Sequence, residues 1–168
     1  AYKMTGEMRT TISGLSEGVL WDALHETTAA DLLNYYGIDE RLLCKTVDQF
    51  GEQGLLTEKA ASELGLSPSI PICYRAGDQP NNAFSLNVLN PGEVAATAGT
   101  SGVVYGVIDQ PSYDPASRVN TFVHVNHTPE KKRYGVLLCV NGTGILNSWL
   151  QKNVFSNKTY PEINALAS

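Results

Sequence analysis

Two β-prone runs, residues 94–97 and 103–107, flank the small-residue turn Gly99-Thr100-Ser101-Gly102. A connection this short and this rich in turn formers makes a tight hairpin the first expectation. Residues 121–125 alternate, and residues 134–140 are strongly β-prone. The chain from Glu93 onward therefore reads as four strands. Gly142 and Gly144 then lead into a helical segment over 145–150, with Ile145, Leu146 and Trp149 expected to pack inward.

The first half reads differently. Residues 7–13 alternate loosely, as a short strand or hairpin arm, and Leu20 and Trp21 precede a loop. Thr28 with Asp31 reads as a capping box for a helix over 29–36, closed by Gly37. Residues 39–43 suggest a short turn, and 47–54 an exposed connection. Thr57 is placed to cap a second helix over 58–63, ended by Gly65. Residues 72–74 read as a buried strand that carries Asp78 just past its C-terminal end, before a helix over 81–88. Open α/β sheets place ligands at such strand ends. Pro91-Gly92 closes this region, so a seam is expected near residue 92.

A chain of 168 residues can form one core or two incomplete ones. Apolar residues make up 42% and charged residues 17%, which places the chain among ordered globular proteins. A formal net charge of -5 argues against nucleic acid or an anionic membrane as partner. It leaves room for a small anionic ligand, because backbone N–H groups hold phosphate without net positive charge. The sequence contains no signal peptide and no apolar stretch of membrane-spanning length. Cys44, Cys73 and Cys139 are odd in number and widely spaced, with no CxxC pair. They read as buried or partly buried thiols of a reducing compartment, the cytoplasm. His25, His124 and His127 have no metal-ligand spacing, so the sequence nominates no metal-binding residue.

Three short segments could carry chemistry. Asp78 lies in Gly77-Asp78-Gln79-Pro80-Asn81-Asn82 and has two readings. An Asp beside Gly is commonly a turn former. Held in a cleft, it can instead orient a substrate hydroxyl and accept its proton as the oxygen attacks phosphorus. Gln79, Asn81 and Asn82 would then be sugar-binding or structural amides. The Gly99–Gly102 turn is either a plain hairpin or one whose N–H groups and hydroxyls face terminal phosphates. It is not a Walker A loop, because no Gly-Lys-Ser/Thr follows. Asn141-Gly142-Thr143-Gly144 is either a turn or a close approach of backbone to a nucleotide.

In this order and spacing, the segments resemble the FGGY family of carbohydrate kinases. The likeness runs from Gly77-Asp78-Gln79-Pro80-Asn81-Asn82-Ala83 through Asn90-Pro91-Gly92-Glu93-Val94 to Thr97-Ala98-Gly99-Thr100-Ser101-Gly102. Within the family, the xylulose-kinase branch is the most similar. The resemblance implies an α/β, ribonuclease H-like fold of the actin and hexokinase kind, in two domains around a cleft. It implies transfer of the ATP γ-phosphate, with Mg²⁺, to a hydroxyl of D-xylulose, giving D-xylulose 5-phosphate. Kinases for ribulose, gluconate or glycerol are the alternatives in the same class. A non-catalytic actin-like nucleotide- or sugar-binding module is the alternative outside it.

Carried over residue by residue, the resemblance makes Asp78 the catalytic base and sugar contact. It makes Gln79 a further sugar contact, and Gly99, Thr100, Ser101, Gly144 and Ser148 the nucleotide side. Two departures fall on the sugar side: Gln79 stands where the family usually has Asn, and Pro80-Asn81-Asn82-Ala83-Phe84-Ser85 replaces a small, glycine-containing helix start. The family's N-terminal phosphate loop, early sugar-binding segment and C-terminal adenine site have no counterpart in these residues. The chain is accordingly expected to be a central piece of a longer kinase. Residues 1–92 would end the first domain and 93–168 begin the second, with no appreciable turnover by the piece alone. A homodimer of the longer parent is left open.

Overall fold

Local capping chemistry starts and stops most elements of the first half in this computed structural model, which describes residues 1–167. Ser168, the end of the second expected region, lies outside the described residues. α1 (Tyr2–Thr5) brings Met4 against the buried Leu56, Ala60 and Ala61. β1 (Arg9–Thr10) leads into α2 (Ile12–Glu17), which Thr11 caps by accepting from the Gly14 N–H at 3.2 Å. β2 (Trp21–Asp22) and β3 (Thr27–Thr28) make a small antiparallel pair. α3 (Ala30–Tyr36) follows, then a single 3-10 turn, Glu40–Leu42, and β4 (Lys45–Thr46), which pairs in parallel with β1.

α4 (Glu58–Leu64) begins as expected, with the Thr57 hydroxyl accepting from the Ala60 N–H at 3.3 Å. Gly37 and Gly65 close α3 and α4 at φ of 64° and 67°, left-handed positions suited to glycine. α5 (Asp78–Ser85) completes the first half.

Several expectations are corrected here. Of residues 7–13, Arg9–Thr10 do form a short strand, but Ile12 and Ser13 belong to the helix α2, because Thr11 supplies its cap. Thr28 does not cap α3: its hydroxyl donates to Glu40 Oε1 at 3.1 Å, and the N-cap is Ala29. The 47–54 connection is anchored rather than exposed throughout. Buried Gln49 donates through Nε2 to the carbonyls of His124 and Val125, at 3.1 and 2.7 Å.

Residues 72–74 form no buried strand. Residues 53–56 and 69–72 instead exchange backbone bonds, such as Leu56 N–H to Ile70 O at 2.8 Å and Ile72 N–H to Gly54 O at 2.9 Å. The chain leaves this ladder after Ile72, with Cys73 exposed. Cys44 and Cys139 are exposed as well, so none of the three thiols has the buried place expected of it. α5 starts at Asp78 instead of Asn81, because Pro80 falls in the first helical turn, where a missing N–H costs nothing.

The second half is the antiparallel sheet that its β-prone runs call for. β5 (Val94–Ala98), β6 (Gly102–Ile108), β7 (Asn120–Val123) and β8 (Tyr134–Val140) lie in the order β5-β6-β8-β7. Ala98 pairs with Gly102 to close the β5–β6 hairpin, and Tyr105 pairs with both Ala95 and Leu137. One face of the sheet presents Ala95, Tyr105, Val107 and Leu137, which pack with Ala83 and Val88 from α5 and the residues after it. Burying each large side chain in such a cluster contributes about 1.5–3 kcal/mol. This packing holds the later part of α5 beside the sheet. α6 (Thr143–Asn153) and α7 (Tyr160–Ala167) follow. Ile145, Leu146 and Trp149 are more than half exposed, contrary to the inward packing expected for them.

Candidate active site

Asp78 is the first residue of α5 and its side chain is exposed. The turn before it is fixed from α2. Gly77 is buried, and its N–H donates to the Ser13 hydroxyl at 3.0 Å. The Asp78 N–H donates to Glu17 Oε2 at 3.0 Å, and the Gln79 N–H donates to Glu17 Oε1 at 3.1 Å. One carboxylate thus satisfies two of the amides that a helix start leaves unpaired. Burial raises the Glu17 carboxyl above the ordinary carboxylate range, and the neighbouring Asp78 charge raises it further; the two amide bonds act the other way.

Behind this contact lies a buried polar chain. The Tyr105 hydroxyl is 3.1 Å from His124 Nδ1, and His124 Nε2 is 2.9 Å from the Val88 carbonyl. With Nε2–H donating to that carbonyl, Nδ1 accepts from Tyr105. Burial pushes Tyr105 up and His124 down, so both stay neutral near pH 7.

The expected amides diverge. Gln79 is half-buried in the first turn of α5. Asn81 accepts from the Tyr74 hydroxyl at 2.8 Å, and Asn82 Nδ2 donates to Thr97 Oγ1 at 2.8 Å. Both Asn side chains therefore serve structural bonds. Phe50, Tyr74 and Phe84 gather beside α5, with ring centroids 5.1 to 5.7 Å apart.

The structure brings the expected nucleotide-side residues together. The Gly99 carbonyl accepts from the Gly144 N–H at 3.1 Å, and the Thr100 carbonyl accepts from the Ile145 N–H at 3.2 Å. The hairpin tip is thus strapped to the start of α6. A Cβ at Gly144 would overlap the Gly99 carbonyl oxygen, so only glycine permits this approach. Ser101 lies in the same hairpin, half-buried, and Ser148 sits one turn further along α6. Asn82 and Thr97 join the Asp78 helix to the strand that runs into this hairpin.

Glu17 and Ser13 are the site residues that sequence reasoning missed. Their partners lie more than sixty residues away, and no local pattern joins residue 17 to residue 78. Among the described residues, no group of three His, Cys, Asp or Glu side chains could hold a metal ion. Mg²⁺ commonly uses one or two carboxylates together with substrate phosphates and waters, so it does not require a cage of three protein ligands. No described helix is long and apolar enough to cross a membrane.

Comparison with known proteins adds the following. No protein-family profile matches the chain. The xylulose kinase of Staphylococcus xylosus is 23% identical over 161 residues, 95% of this chain and 32% of that protein. The gluconokinase of Bacillus subtilis is 28% identical over 98 residues, 58% of this chain and 18% of that protein. The ligand-bound crystal structure of xylulose kinase from Lactobacillus acidophilus superposes with a TM-score of 0.83 at 22% identity, covering 94% of this chain and 31% of that one. The chain thus spans about a third of the length of the xylulose kinases it matches. The fold is the one the resemblance implied: part of a ribonuclease H-like α/β fold of the actin and hexokinase kind.

Proposed function

Because this chain belongs to the FGGY family of carbohydrate kinases, we propose that it is the central part of an ATP-dependent kinase that phosphorylates D-xylulose to D-xylulose 5-phosphate. The carrying observation is the join between two expected sites: Asp78 opens a helix that Asn82 ties to the strand entering the Gly99–Gly102 hairpin. In this reading the 5-hydroxyl oxygen of the sugar bonds to the γ-phosphorus of ATP. The bond from that phosphorus to the bridging oxygen breaks, ADP leaves, and Asp78 takes the hydroxyl proton.

Gln79 binds the sugar, while Gly99, Thr100 and Ser101 face the terminal phosphates. Gly144 and Ser148 lie on the nucleotide side. Mg²⁺ bound with ATP would neutralise phosphate charge. The reading places the protein in the cytoplasm and the division between the two kinase domains at Pro91-Gly92, with residues 1–92 before it and 93–168 after it.

Phosphoryl transfer needs both substrates and the closing domains held together, and these residues span only about a third of the relatives. The 168 residues alone are therefore expected to release no sugar-dependent ADP. The test is coupled ADP release by the longer kinase that carries this segment, with D-xylulose, L-ribulose, gluconate and glycerol offered separately. D-xylulose should give the highest kcat/KM, and Asp78→Asn should remove most of the turnover while ATP still binds. Turnover of another sugar but not D-xylulose rejects the substrate, and full turnover by Asp78→Asn rejects the base. The gluconokinase relative favours gluconate as the second reading.

A further inference from the structure

We propose that Glu17 is the positioning residue of Asp78, a carboxylate clamp that sets the direction from which Asp78 meets its substrate. This deepens the kinase reading and rests on it. Glu17 grips two consecutive amides, Asp78 N–H and Gln79 N–H, one with each oxygen, at 3.0 and 3.1 Å. Two parallel bonds from one planar group fix both the position and the rotation of a helical turn. A single-point cap of the Ser or Thr kind would leave that rotation free.

Two further observations support the clamp. Gly77, the N-cap of α5, has φ of -65° and ψ of 163°, a conformation open to any residue. It is not glycine for backbone reasons. A Cβ there would fall inside the Glu17 carboxylate, so the glycine makes room for the clamp. The same face of α2 adds a second hold: Ser13, fully buried and one turn before Glu17, accepts from the Gly77 N–H, and Ser16 accepts from the Val123 N–H of β7 at 2.9 Å. The turn is thereby referenced to the sheet.

The clamp also acts by charge. The Asp78 carboxylate stands near enough to that of Glu17 to raise the latter's proton affinity. Like charges at this range repel, and the Asp78 side chain is exposed to solvent. Of the groups packed around the pair, Tyr105 and, behind it, His124 stay neutral near pH 7. They do not offset that repulsion.

The test has two arms. In the 168-residue chain, Glu17→Gln replaces one acceptor oxygen with a donor. NMR amide exchange at Asp78 and Gln79 should accelerate by about tenfold or more, a factor that one lost charge-assisted bond supplies. Gly77→Ala, whose backbone stays allowed, should expel the carboxylate and accelerate the same two amides.

In the longer kinase, Glu17→Gln should lower kcat by ~10²-fold, as misplacement of a reacting group does. KM for ATP should hold steady, and the melting temperature should fall by no more than a few degrees. In an Asp78→Asn background the same change should cost nothing more, because Glu17 acts through Asp78. Unchanged amide exchange in both variants overturns the clamp. Unchanged kcat for Glu17→Gln, or an equal further loss in the Asp78→Asn background, overturns its catalytic bearing. Full turnover by Asp78→Asn alone strikes the kinase reading instead, and leaves the amide exchange to decide the contact by itself.

Discussion

Asn82 Nδ2 donates to Thr97 Oγ1 at 2.8 Å, and this bond joins the helix that opens on Asp78 to the strand that ends in the Gly99–Gly102 hairpin. The two expected halves of the site are thus linked by a side-chain hydrogen bond. An exposed neutral bond contributes about 0.5–1.5 kcal/mol. Asn82→Ala and Thr97→Val should each cost about that much in urea unfolding. Their double variant should cost little more than either single change, because one shared bond is lost. Additive losses in the cycle would falsify the link.

Gly144 should tolerate no side chain, although it lies inside a helix where alanine is normally better by about 1 kcal/mol. A methyl group there meets the Gly99 carbonyl, so Gly144→Ala should part the hairpin from α6. The expected net effect is a loss of about 1–3 kcal/mol, the range for groups left unpaired. Faster amide exchange at Ile145 should accompany it. A more stable Gly144→Ala variant would show that the strap is not held in solution.

Much of this architecture could be read in the sequence, for reasons that differ from element to element. The Thr57 cap and the Gly37 and Gly65 stops are local, so a few residues decide them. The four strands follow from β-prone runs with short turns, and the β5–β6 hairpin lies where the Gly99–Gly102 turn requires it. The 72–74 segment departs from its expectation because an apolar run next to prolines does not reveal where pairing stops: residues 53–56 pair with 69–72, and the ladder ends at Ile72. Thr28 misled because a hydroxyl has more than one acceptor within reach, and Glu40 won it. The neighbours of Asp78 nominate it as a candidate, whereas nothing local nominates Glu17. The clamp joins residues 61 and 62 positions apart, a distance that no motif spans.

Tyr105 and His124 form a buried pair whose loss should be costly from one side only. Tyr105→Phe removes a hydroxyl and leaves His124 Nδ1 without its partner in the core. A buried acceptor so stranded costs about 1–3 kcal/mol. The double variant Tyr105→Phe with His124→Leu removes both members of the pair but strands the Val88 carbonyl, so it should cost less than the sum of the two single losses rather than nothing. A double variant less stable than the sum of the single ones would count against a simple paired bond.

Acidity should weaken the fold before any carboxylate is reached. Burial lowers His124 and His127 below their ordinary value of 6.5. A depressed folded value means that the unfolded chain binds the proton first. The stability these imidazoles contribute is therefore complete above pH 6.5 and is lost as the pH falls through 6.5 toward the folded values. Glu17, raised above 4.5, has the opposite sign: its folded form takes up a proton first, which favours the fold as the pH drops toward 4.5. Urea midpoints measured from pH 8 to 6 should consequently fall, and His124→Gln should start lower at pH 8 but decline less steeply. Parallel slopes for the two proteins would assign the decline to His127 and to groups other than His124.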